Sequence, residues 1–262
     1  MEYITDQDTS ILNACEKVRS DPPSYKTEHY IVEASEDCIA KAVGWARYIE
    51  SNVYSTLLEM MGHTPTVNIH VLHFVDHRLR GSTGSGAWFE KITRFRDTEY
   101  VGSRIKIFKG KLHDMPPYRA EGDITHETIH GLLEEAKNQK ASWKPIWHRE
   151  LLDNIFEIEL SKRLGNGDGC RKRYLKCIKK AQNYAVFAEF WKEYGWQPFQ
   201  RLIVRLHDEA NFHPTFDQNA FVYNISLSAK QDVSPFFEQR GWRISDLTRQ
   251  GIVENLKSGS SR

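Results

Sequence analysis

An α+β fold is the expectation, with a small mixed sheet early in the chain and helices after it. Two observations carry it. Residues 66–75 (Thr-Val-Asn-Ile-His-Val-Leu-His-Phe-Val) and 104–109 (Arg-Ile-Lys-Ile-Phe-Lys) are rich in β-branched and aromatic residues, with the alternation of half-buried strands. From Asp123 onward, apolar residues recur at spacings of three and four, the period of helices that bury one face. A chain of 262 residues, 40% of them hydrophobic, can bury one large core or two closely packed lobes.

The elements follow in order. Residues 1–28 are polar and broken by Asp21-Pro22-Pro23-Ser24, which suits a surface-wrapping segment. Tyr30-Ile31-Val32-Glu33 reads as a short strand. Ser35 then stands where a helix cap is wanted, before a helix over 36–61 that buries Ile39, Ala42, Val43 and Ala46. After the strand at 66–75, the glycines and serines of 81–86 force a loop. The strand at 104–109, with charge alternating against apolar residues, is expected at the edge of the sheet or half-buried. Four segments result: 1–28, an α/β lobe over 29–138, a helical lobe over 139–250, and a flexible tail over 251–262.

The chemistry is concentrated in His126-Glu127-Thr128-Ile129-His130. On a helix, residues four apart share a face, so His126 and His130 can grip one ion while Glu127 stands beside it as a general base. Ile124, Ile129, Leu132 and Leu133 supply an apolar stripe, and Glu134, Glu135 and Lys137 a polar face, so a helix is expected here. The competing reading is a partly buried helix whose two histidines hydrogen-bond within the core.

A catalytic zinc site takes three protein ligands and leaves the fourth position to water. Glu150, on a second helix entered after Pro145 and running to about Leu164, is the best third ligand. It follows His130 by 20 positions, enough for the chain to turn back antiparallel. Asn154, one turn on, can orient a ligand histidine. His148, Glu157 and Glu159 are weaker rivals for the third position. His70, His73 and His77 make no compact triad, because His70 faces away from the other two on a strand.

With its Glu on the following helix, the motif resembles the gluzincin zinc metallopeptidases, whose pattern is HExxH plus a downstream Glu. The run Glu150-Leu151-Leu152-Asp153-Asn154-Ile155-Phe156 is similar to the second helix of the enhancin-like, mucin-directed group. Tyr184–Trp196 and Val233–Trp242 resemble the helical C-terminal part of that group and of the broader peptidase-MA-like set, over about residues 103–247. Ile129 departs from the glycine usual in the group before the second histidine.

The resemblance implies a zincin-like fold in which an edge strand, 104–109 or Ala87-Trp88-Phe89, overhangs a cleft. It also implies one zinc per chain on His126, His130 and Glu150, with Glu127 as base. A Tyr or His beyond the Glu ligand would steady the oxyanion, and Tyr184, Tyr223 and His207 qualify. The implied activity is hydrolysis of peptide bonds in proteins or glycoproteins. The alternatives are a non-catalytic zinc-binding module of the same fold, or a zinc hydrolase of a non-peptide amide or ester.

Composition narrows the partners. With 36 basic and 35 acidic residues there is no global charge case for nucleic acid, although Cys170–Lys180 is locally basic. No apolar run is long enough to predict a membrane span. Cys15, Cys38, Cys170 and Cys177 form no zinc-ribbon spacing, and their even number leaves disulfides open. The N-terminus lacks a basic and then apolar leader, so no signal peptide is expected, consistent with a cytoplasmic or a trimmed secreted protein.

Overall fold

The computed structural model describes residues 6–18, 23–65, 69–75, 87–95, 98–108, 117–136, 149–180, 182–207 and 217–259. The chain is α+β and divides into two compact units, Met1–Leu57 with Pro65–Glu134, and Leu58–Thr64 with Glu135–Arg262.

The first unit holds a six-stranded mixed sheet in the order β1-β2-β3-β4-β6-β5, formed by β1 (Glu16–Val18), β2 (Ser24–Lys26), β3 (Tyr30–Glu33), β4 (His70–Val75), β5 (Ala87–Phe95) and β6 (Thr98–Phe108). β3, β4 and β6 run parallel, while β1–β2, β2–β3 and β5–β6 are antiparallel. Within 1–28, read as a surface wrap, lie helix α1 (Asp6–Asn13) and two strands that extend the sheet. The strand at 104–109 is not at an edge. β6 pairs with β4 on one side and β5 on the other, so its backbone groups have partners on both sides and the edge falls to Ala87–Phe95. The loop at 81–86 and residues 66–68 lie outside the described residues.

The helix expected over 36–61 runs as α2 (Ile39–Ile49), a π-helical segment (Glu50–Tyr54) and α3 (Ser55–Met61). Its N-cap is Cys38 without a side-chain cap bond, while the Ser35 hydroxyl donates to Asp37 Oδ1 at 2.6 Å. The π segment carries Glu50, whose Oε1 accepts from the His29 amide at 2.6 Å and from the Thr27 hydroxyl, tying the helix to the β2–β3 turn. Its Tyr54 hydroxyl hydrogen-bonds His70 Nε2 at 2.9 Å, on the sheet face that also carries Tyr30, Val32 and Leu72. Helix α4 (Pro117–Ala136) lies on that same face, because Tyr30 Oη meets Thr128 Oγ1 at 3.0 Å.

The second unit is helical: α5 (Arg149–Arg163), α6 (Gly167–Lys179), α7 (Gln182–Tyr194), α8 (Gln197–His207), α9 (Gln218–Ala229), α10 (Ser234–Glu238) and α11 (Asp246–Gly259). Asn166 and Asp217 cap α6 and α9 by accepting from Gly169 N at 2.8 Å and Ala220 N at 2.9 Å. The core is aromatic. Phe187 stacks on Phe221 at 5.0 Å, Phe190 stacks on Phe237 at 5.3 Å, and Phe156 meets Trp196 edge-on at 4.6 Å. Residues 58–64, which the sequence assigns to the α/β lobe, belong with this unit, since Trp196 Nε1 donates to Met60 O at 3.2 Å and Gln200 Nε2 to Glu59 O at 2.5 Å. The stretch from 251, read as a flexible tail, is helical through Gly259, with Ile252 fully buried.

Helix α5 is not amphipathic over its centre: every residue from Leu151 to Ser161 is buried. Its acidic groups therefore require partners. Glu159 accepts from Arg163 Nε and Trp191 Nε1, both at 2.9 Å, and Glu157 pairs with Arg173. Among the described residues, no helix is long and apolar enough to cross a membrane.

Candidate metal centre

In the first unit, α4 positions the three motif residues. Ile124, Thr128 and Leu132 lie buried at helical spacing on the side turned to the sheet, with Thr128 bonded to Tyr30. The opposite side therefore carries His126 and His130. Their Nε2 atoms are 3.1 Å apart and their rings stand edge-on, 4.7 Å between centroids at 89°. His130 is 5% exposed, His126 is half-buried, and Glu127 is 6% exposed.

This geometry permits a test of fit. Two nitrogens each about 2.0–2.1 Å from a tetrahedral ion stand about 3.3 Å apart. The observed 3.1 Å is close to that span, so the rings need little rotation to share an ion. Glu127, about 100° around the helix from His126, lies off the face where the two imidazoles converge. The donor set, imidazole with carboxylate, is that of zinc and other first-row divalent ions.

Glu150 and the candidates that follow it in the sequence lie in the second unit. Glu150 falls in the first turn of α5, with its side chain outside the described residues. His148 and His77 are outside them altogether. Glu157 and Glu159 are engaged by Arg173, Arg163 and Trp191, which removes them as rivals of Glu150. Asn154 is buried on α5. Tyr184 opens α7 half-buried, with Lys180 Nζ 4.4 Å from its ring centre, and Tyr223 is half-buried on α9. His207 ends α8 with its ring 4.3 Å from that of His63.

One residue was passed over in the sequence. Asp153 on α5 is fully buried and offers a carboxylate oxygen of the kind a divalent ion takes. The signal was present: Asp153 stands between Leu151-Leu152 and Ile155-Phe156, and a carboxylate buried among such apolar neighbours is expected to have a strong partner. His70 and His73 are both occupied within the sheet. His70 bonds Tyr54, and burial pushes its imidazole down to about 3, so it is neutral. His73 Nδ1 lies 3.0 Å from Glu33 Oε2 on the opposite face. All four cysteines are free thiols, and burial raises Cys15, Cys170 and Cys177 above the usual thiol value.

Fold and site together define an α+β protein with a paired-imidazole helix. No protein-family model and no curated protein matches the chain. Two solved structures resemble it, both of a functionally unknown conserved protein from Bacillus anthracis str. Ames. The mutant form of that protein superposes with a TM-score of 0.58 and the other with 0.55, each at 15% identity over 89% of this chain and 51% of that chain. The chain thus spans about half the length of these structures, and the likeness concerns the fold alone.

Proposed function

We propose that the protein is a zinc-dependent metallopeptidase of zincin-like fold, acting on proteins or glycoproteins. The observation that carries this reading is the convergence of His126 Nε2 and His130 Nε2 to 3.1 Å, with Glu127 at the intervening helix position. The third protein ligand is a carboxylate of α5, either Glu150 or the buried Asp153.

Zinc, when bound, supplies Lewis acidity, which lowers the pKa of water toward about 7 and polarises a carbonyl. His126 and His130 bind through neutral imidazoles. Glu127 accepts the proton released as water attacks and returns it to the leaving nitrogen. Tyr184 or Tyr223 donates a hydrogen bond to the developing oxyanion, with His207 as a third choice.

The test is metal content of the purified protein, for wild type and for Glu150→Ala and Asp153→Ala, with cleavage of an unstructured protein, a glycoprotein and small amides. About one zinc per chain, lost in one carboxylate variant, together with peptide cleavage, supports the reading. Zinc without cleavage of any substrate would indicate a binding module, and cleavage of amides alone a non-peptide hydrolase. No zinc after reconstitution sinks the proposal.

A further inference from the structure

Helix α6 carries a concentration of charge that a chain with net charge +1 does not suggest. Arg171, Lys172, Lys176, Lys179 and Lys180 are all exposed, and Asp168 in the first turn is the only acidic residue on the helix. Among the described residues, Arg171, Lys172, Lys176 and Lys179 are in no ion pair, and Lys180 lies over the Tyr184 ring. Three acidic side chains of the neighbouring helices are engaged by other cations: Glu157 by Arg173 on the inner side of α6, Glu159 by Arg163, and Glu189 by Arg240.

The helix is also anchored from its other side. Cys177 is 1% exposed, and Arg173 reaches inward to Glu157, so α6 is anchored by the side opposite its cations. At helical spacing, Arg171, Lys172, Leu175, Lys176 and Lys179 share the outward arc, and Leu175 at its centre is 42% exposed.

We propose that α6 docks the protein on an anionic bilayer, with the lysines at the headgroups and Leu175 at the headgroup–acyl boundary. Lysine clusters on one helix face are attracted by anionic lipid, and each charge adds about fivefold to partitioning. Nucleic acid is the poorer fit, because the one aromatic ring of the helix, Tyr174, is half-buried beside Trp191, 6.3 Å between centroids, and Lys192 lies over it. Helix α6 thus presents no uncovered ring for a base to stack on. The inference is independent of the metal centre.

The full-length chain is tested by co-sedimentation with vesicles of phosphatidylcholine alone and with about 30% phosphatidylserine, at about 0.15 M and about 0.5 M salt. Binding is expected only to the anionic vesicles and at the lower salt. Lys172→Glu/Lys176→Glu/Lys179→Glu is expected to lower partitioning at least about 100-fold. The control Lys17→Glu/Lys41→Glu/Lys257→Glu, with the same net charge and equally exposed positions, is expected to keep most of it. Circular dichroism and the urea midpoint confirm that both variants fold. Wild type that ignores phosphatidylserine, a control that loses as much as the α6 variant, or tighter binding to duplex DNA than to vesicles overturns the proposal.

Discussion

Tyr30 Oη lies 3.0 Å from Thr128 Oγ1, joining β3 to the middle of the His126–His130 motif across 98 residues of sequence. Thr128 Oγ1 already donates its one hydrogen to Ile124 O at 2.8 Å, so the Tyr30 hydroxyl is the donor. Both residues are fully buried, and burial together with the neighbouring Glu50 charge keeps the phenol protonated. The bond fixes the turn of α4 on the sheet and hence the direction of both imidazoles. Thr128→Val strands a buried hydroxyl on Tyr30 and is expected to cost about 1–3 kcal/mol in urea denaturation, while Tyr30→Phe/Thr128→Val recovers part of that. A single variant indistinguishable from wild type would show that this bond does not hold α4.

Replacing Glu127 separates binding from turnover. Glu127→Gln keeps the size of the side chain and removes the base, so metal content is expected to persist while the rate falls about 100- to 10000-fold. His126→Ala and His130→Ala are expected to lose the metal. Elemental analysis beside a cleavage assay distinguishes the two outcomes, and loss of metal from Glu127→Gln would contradict its assignment as base.

His70 makes stability depend on pH in a defined direction. Its folded value of about 3 lies below the 6.5 of an exposed imidazole, chiefly because burial disfavours the cation. The neutral form is therefore preferred in the fold: its contribution is complete above pH 6.5 and is lost as the pH falls toward 3. Between pH 6.5 and 5 the unfolding free energy is expected to drop by about 2 kcal/mol from this group. His70→Gln, which keeps an acceptor for Tyr54, should flatten that slope; an unchanged slope would assign the acid sensitivity elsewhere.

Gly62 ends α3 at φ +73°, and a Cβ there would stand 2.7 Å from Gln200 Cγ, whose side chain is held by Glu59 O. Gly62→Ala is expected to destabilise by about 1–2 kcal/mol through both strain and clash. Adding Gln200→Ala removes the closer contact and leaves the backbone strain and the contact with Val204 Cγ2 at 3.0 Å, so the double variant should recover only part of the loss in thermal denaturation.

The motif helix was legible because its information is local: the spacing from His126 to His130 is a property of any α-helix, and Ile124, Leu132 and Leu133 mark its buried side. The strand at His70–Val75, within the expected 66–75, rests on equally short-range chemistry. Of the two segments considered for the edge of the sheet, Ala87-Trp88-Phe89 is there and 104–109 is not, because the alternation around Arg104 and Lys106 does not reveal whether both sides of a strand's backbone are paired.

What the sequence alone determined is therefore the strands within 30–33 and 66–75, the helical character of the chain beyond Asp123, the paired imidazoles with their adjacent carboxylate, and the basic face of α6. It did not determine the helix and strands within 1–28 or the helix that runs past 251. The tertiary structure alone decided the order β1-β2-β3-β4-β6-β5, the burial of α5 on all sides, and the bond from Tyr30 that aims the motif. The physical reason is range. Helical spacing and capping act over three or four residues, whereas sheet order and the partners of buried polar groups depend on segments tens of residues apart, whose meeting is settled by packing.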